Sequence, residues 1–167
     1  MTAFADRIDR LTTLIGRAAS WLCLFIVIAQ FAIVLMRYGF GIGSAKLTES
    51  IIYAHAGLFM LAAAWTLREN GHVRVDIFYA DASPPRKALV DFWGALLLLI
   101  PFALSLFILS LPYVARSWSI LERSRETSGL PFVYLLKTLI PVFAALLVLQ
   151  GIAQAARALQ TLRAGRS

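Results

Sequence analysis

The sequence predicts an all-α integral membrane protein of four transmembrane helices, opened by a short N-terminal amphipathic helical segment. Three observations carry that prediction. Residues 22–36, 51–67, 92–111 and 139–156 are apolar runs that, with their flanks, reach across a hydrocarbon core roughly 30 Å thick. The 167 residues are 60% hydrophobic with a mean hydropathy of +0.76, outside the range of a soluble domain. The 16 Lys and Arg residues, which leave a net charge of +7, gather at the ends of the runs and face lipid phosphates there. One domain over residues 1–167 follows, with spans near 18–36, 50–67, 88–111 and 132–156 and no repeat or low-complexity tract.

The elements follow in chain order. Phe4, Ile8, Leu11 and Ile15 recur at helical spacing, with Asp6, Arg7, Arg10 and Arg17 mostly off that stripe. This is either an interfacial helix or an extension of the first span. A positive N-region and Gly43-Ser44-Ala45 faintly resemble a cleaved leader, but the run is long and Arg37 intervenes, so an uncleaved span is expected. Gly39, Gly41 and Gly43 break the first helix, and Thr48 or Ser50 is the expected cap of the second, with Glu49 favouring its positive end. The second helix ends near Arg68, before Asn70-Gly71. Ser83-Pro84-Pro85 stops the following polar segment and starts the third span. Pro101 and Pro141 fall inside the third and fourth spans, where neighbouring helices must meet the freed carbonyls.

Ten of the 16 basic residues fall at the N-terminus, between spans two and three, and at the C-terminus. The excess of positive charge on that side places both termini in the cytoplasm.

Several chemistries are excluded on residue grounds. No basic cluster is interleaved with base-stacking aromatics, which argues against nucleic acid. The single Cys23 cannot form an intrachain disulfide and reads as a packing residue. His55 and His72 stand about 25 Å apart along a helix, so they cannot share one metal or haem within a protomer. The first span has no carboxylate for proton-coupled export. Asp91 sits about one turn into the third span beside Arg86 and Lys87, a structural position. Lys137 lies at the outer end of the fourth span, where it can snorkel. Gln30 and Gln150 are candidates for interhelical hydrogen bonds.

Three blocks carry a family resemblance. Arg37-Tyr38-Gly39-Phe40 is followed by Thr48-Glu49-Ser50, and the second span closes in Arg68-Glu69-Asn70-Gly71-His72-Val73-Arg74-Val75-Asp76. Glu126-Thr127-Ser128-Gly129-Leu130-Pro131 precedes Leu136-Lys137-Thr138-Leu139-Ile140-Pro141 and Leu149-Gln150-Gly151. Over nearly the whole chain the pattern resembles the small, Q-type (DctQ-like) membrane subunit of tripartite ATP-independent periplasmic (TRAP) transporters.

The resemblance implies a non-catalytic scaffold in the bacterial inner membrane. It packs beside a large elevator-type subunit that carries the substrate and sodium sites, and a periplasmic binding protein delivers a small organic acid. No cofactor or metal is expected on this chain, and its partners are those two proteins and membrane lipid. Within that reading Arg37, Tyr38 and Glu49 bracket an outer loop, and Arg37 and Glu49 are expected to pair with each other or with the large subunit. Arg68, His72, Arg74 and Asp76 form an inner elbow that orders a loop or meets the large subunit, with Asp91 nearby. Arg123, Arg125 and Glu126 are the candidate docking patch for the binding protein. Two other classes compete: a small membrane anchor of a redox complex, and a four-helix transporter acting alone.

Overall fold

In the computed structural model, residues 2–72, 79 and 81–164 are described. They form α1 (Thr2–Phe40), α2 (Ala45–Arg68), α3 (Pro84–Gly94), a π-helical turn (Ala95–Leu99), α4 (Ile100–Ser119) and α5 (Val133–Ala164). The turn joins α3 and α4 into one span, giving four helices long and apolar enough to cross a membrane. No strand occurs among the described residues.

The N-terminal segment is the first third of α1, one continuous helix of 39 residues. At 1.5 Å per residue it is about 58 Å long, so it overshoots a hydrocarbon core by several turns. Its buried face differs from the Phe4–Leu11 stripe. Ala5, Ile8, Thr12, Gly16 and Ala19 point inward, whereas Phe4 and Leu11 are exposed. Small residues win that face because they let the backbones close up. A Cβ on Gly16 would stand 2.6 Å from the Trp65 side chain of α2.

Helix ends follow local chemistry. Gly41 takes φ +66° just past α1, and the Ile42 N–H donates to the Met36 carbonyl six residues back at 3.0 Å, one residue wider than the usual six-to-one closure of a glycine-terminated helix. Asn70, at φ 55°, ends α2 with the six-to-one bond itself, the Gly71 N–H on the Thr66 carbonyl five residues back. The cap of α2 is Ser44, not Thr48 or Ser50: its Oγ accepts from the Leu47 N–H at 3.3 Å. The hydroxyls of Thr48 and Ser50 instead donate back to the Ser44 and Leu47 carbonyls. Pro84 and Pro85 occupy the first turn of α3, where their missing N–H groups cost nothing.

Pro101 has no N–H for the Leu97 carbonyl, and its ring crowds that carbonyl. The chain widens just before it: the Ile100 N–H reaches back five residues to the Ala95 carbonyl, and Ala95–Leu99 form the π turn. The helix then continues through Pro112 to Ser119, well past the apolar run that marks the span.

The fourth span is the hub. Among the described residues α5 packs against α1, α2, α3, the π turn and α4, while α1 and α4 do not meet. Ala64, Ala103, Leu146 and Leu147 form one buried cluster; Ala5, Ile8 and Ala153 form a second. Large apolar side chains such as Trp21, Phe31, Leu98 and Leu109 face outward, where lipid tails match them. Gly151 sets the approach of α5 to the widened turn. A Cβ there would lie 3.1 Å from both Leu99 Cδ2 and Ile100 Cγ1. Gly151→Leu should therefore overpack this seam and cost about 1–3 kcal/mol, read as a lower unfolding midpoint in detergent, with Gly151→Ala costing less. An unchanged midpoint for the leucine variant would mean that α5 does not depend on this approach.

Candidate functional site

Ionic and polar side chains form two ties, one at each end of the bundle. At the end that carries both termini, Asp9 of α1 is the centre. Its Oδ2 meets Arg157 Nη1 of α5 at 2.7 Å and Arg68 Nε of α2 at 3.5 Å. Gln150 Nε2 of α5 donates to the other oxygen at 3.0 Å. Thr12 Oγ1 donates to Gln150 Oε1 at 3.0 Å, and Arg68 Nη1 donates to Thr13 Oγ1 at 2.6 Å. Gln150 and Thr12 are fully buried, so each needs the partner it has. Gln150 and Arg157 lie two turns apart on α5 and therefore share a face.

At the opposite end, Glu49 of α2 reaches the loop between α4 and α5. Its Oε1 accepts from Ser124 Oγ, and its Oε2 accepts from the Leu130 N–H at 2.6 Å. The loop closes on itself through the Ser124 N–H to the Leu130 carbonyl and the Gly129 N–H to the Glu126 carbonyl. Gly129 leaves room for this: a Cβ would stand 2.4 Å from Ser124 Oγ and 2.7 Å from Glu49 Oε1.

Beside this knot, Glu122 takes hydrogen bonds from Lys137 Nζ and from Ser117 Oγ, the latter at 2.7 Å. Lys137 also lies 4.2 Å from the centre of the Tyr113 ring. Trp118 Nε1 donates to Thr138 Oγ1 at 2.8 Å and packs edge-on against Tyr134, an aromatic end-anchor for α4 and α5.

These contacts place the residues singled out from sequence. Arg37 and Tyr38 are exposed at the end of α1, and Arg37 makes no ion pair among the described residues. The Arg37–Glu49 pair is therefore not formed, because the Glu49 carboxylate is turned onto Ser124 and Leu130. Arg68 is tied to Asp9, Thr13 and, at 3.0 Å, Glu69. His72 is exposed at a bend after α2; Arg74 and Asp76 lie outside the described residues. Asp91 accepts from the Tyr79 hydroxyl at 2.9 Å. Arg123, Arg125 and Glu126 are exposed on the α4–α5 loop. Gln30 is exposed and Lys137 is bonded rather than snorkelling. His55 stacks with Phe59, a turn along α2 and far from His72.

Asp9, Glu122 and Gly129 were not singled out as sites. One of two acids within a basic segment, and a Glu 15 residues before a Lys, are weak signals without knowledge of which helices meet.

The comparison with family models matches residues 26–161 to the family described as Tripartite ATP-independent periplasmic transporters, DctQ component. The chain belongs to the DctQ family. No match was found among curated proteins or among solved structures. The DctQ match takes in Glu49, Arg68, Glu122, Gly129, Gln150 and Arg157, and starts after Asp9, so the helix bearing the central carboxylate enters it only part-way. Membership makes the chain a component of a transporter of several subunits.

Two predictions come from the loop end of this DctQ chain. Gly129→Ala should expel Ser124 and Glu49 from their contact at a cost of about 1–3 kcal/mol, seen as faster proteolysis between α4 and α5; wild-type cleavage would show the knot is not sterically set. The second concerns acid. The hydrogen bond from Lys137, then that from Ser117, hold the Glu122 carboxyl below the usual carboxylate range. Its stabilising contribution is complete above the unfolded value of about 4.3 and is lost as pH falls through the lower folded one. The melting temperature of wild type minus that of Glu122→Gln should be constant from pH 7 to about 5 and shrink below about 4. A difference that grew on acidification would have the wrong sign.

Proposed function

We propose that this chain is the fixed, non-catalytic brace of a TRAP transporter. It stands in a bacterial inner membrane with both termini in the cytoplasm and packs beside a large subunit. That partner performs sodium-coupled uptake of a small organic acid supplied by a periplasmic binding protein. The observation that supports this most is the distribution of charge. No Asp, Glu, Lys or Arg lies between Arg17 and Arg37, between Glu49 and Arg68, between Asp91 and Arg116, or between Lys137 and Arg157. A site for ions or an organic acid near the middle of a bilayer is ordinarily built from broken helices and polar groups at that depth. Here the helices run through the middle unbroken apart from the π turn, and Asp9, Glu49, Arg68, Glu122, Lys137 and Arg157 are spent at the ends on contacts within the chain.

A brace needs fixed helices more than a binding site, and the two end ties supply them. On this reading Arg37 and Tyr38 remain available to the large subunit, and Arg123, Arg125 and Glu126 face the compartment from which the binding protein approaches.

Reconstitution tests the proposal. Liposomes holding this chain alone should take up no organic acid in a sodium gradient, and adding the large subunit and binding protein should give uptake. Sodium-driven uptake by this chain alone, or undiminished uptake by the other two without it, would reject the brace.

A further inference from the structure

The second helix carries an imidazole into the apolar band and turns it outward. We propose that the face of α2 bearing Ile52, His55 and Phe59 is the seam on which a transmembrane helix of the large subunit packs, with a hydrogen-bonding side chain of that helix set against His55. This rests on the reading of the chain as a brace, and it names the face that does the bracing.

Among the described residues α2 packs against α1 and α5 and meets neither α3 nor α4. Tyr53, Ala54 and Gly57 face those two neighbours, lining a crevice with Leu22 and Leu139. Between Glu49 and Arg68 the exposed residues of α2 are Ile52, His55 and Phe59. Spacings of three and four put them on one ridge, on the side away from the crevice. Ala62 and Thr66 continue the same spacing toward Arg68, both half-buried. The face is therefore bulky as far as Phe59 and low beyond it. Small residues of that kind let a second backbone come close within a bilayer.

His55 gives the ridge its chemistry. It lies six residues from Glu49 and 13 from Arg68, about 9 Å and about 20 Å along the helix. Those two charged residues bound the apolar run, so the imidazole sits inside the hydrocarbon. It rests against the Phe59 ring, 4.6 Å between centres, and makes no hydrogen bond or ion pair among the described residues. An imidazole carries at least one N–H donor whichever tautomer it adopts, and lipid tails offer no acceptor. Ionisable side chains within spans ordinarily face protein and meet a partner there.

Shape and composition select the partner. A second copy of this chain inserts in the same orientation. Packed on this face, it would set Phe59 against Phe59 and Ala62 against Ala62, bulk on bulk and gap on gap. A helix of different sequence can place a large side chain over Ala62 and an acceptor beside His55. A DctQ component belongs to a transporter of several subunits, and the large subunit is the membrane partner in the reading above.

The test uses the full transporter, purified through a tag on this chain, with a photoreactive benzophenone residue replacing Ile52 or Phe59. Illumination should join this chain to the large subunit from both positions. His55→Leu should lower the amount of large subunit recovered several-fold, His55→Gln should keep most of it, and Ala62→Leu should lower it by filling the low part of the face. These residues point out of the bundle, so the melting temperature of each variant chain alone should match wild type; if one melts low, cross-linking decides. A large subunit that co-purifies but is not cross-linked, or cross-linking of this chain to a second copy, would overturn the seam and leave the brace standing. Equal recovery with His55→Leu and wild type would overturn the role of the imidazole. Failure of the wild-type chain to recover a large subunit would reject the brace, and the seam with it.

Discussion

The carboxylate of Asp9 is shared by three helices, and the geometry of the bundle at its terminal end depends on that sharing. Within a bilayer, burying apolar surface gives helices little reason to associate, because lipid tails are as apolar as leucine. What remains is close packing through small residues and hydrogen bonds that lipid cannot replace. Ala5, Gly16 and Ala153 supply the first of these near Asp9, and Gln150, Arg68 and Arg157 supply the second. Because α5 also carries α3 and α4, fixing α1 and α2 to α5 fixes the whole set.

The other end is held by a different device. Glu49 does not join two helices directly; it pins a loop, and the loop sets where α5 begins. Glu122 then joins the end of α4 to the first turns of α5 through Lys137. Both devices use charged groups at helix ends, where the dielectric is lower than in bulk water and a pair gains strength without the full penalty of membrane burial. The apolar middle is thereby left to packing alone. That division suits a rigid DctQ component better than a moving one, since no charged group in the spans has to change partners at mid-depth.

Most of the fold was legible in the sequence because its signals are local. Apolar runs gave the spans, and Gly41 and Asn70-Gly71 gave the helix stops. The cap of α2 was misread because Ser44, Thr48 and Ser50 are all competent caps, and only backbone geometry separates them. Pro101 announced a distortion, but its form, a π turn seated on Gly151, depends on where α5 lies. The ties were less legible for the same reason. Glu49 drew notice, yet its partners stand 75 and 81 residues away, and Arg157 is 148 residues from Asp9. Gly129 sat inside a quoted block, but its purpose is visible only once Ser124 and Glu49 are beside it.

The central claim is that Asp9 physically couples the helices, and a double-mutant cycle between Asp9→Ala and Arg157→Ala measures that coupling most directly. Unfolding of the purified chain in mixed micelles gives the four stabilities. Hydrogen bonds to charged groups are worth roughly 1.5–3 kcal/mol, and partial exposure of Arg157 screens the pair. A coupling of about 1 kcal/mol or more is predicted. Losses that simply add, within about 0.5 kcal/mol, would contradict a bundle tied at Asp9.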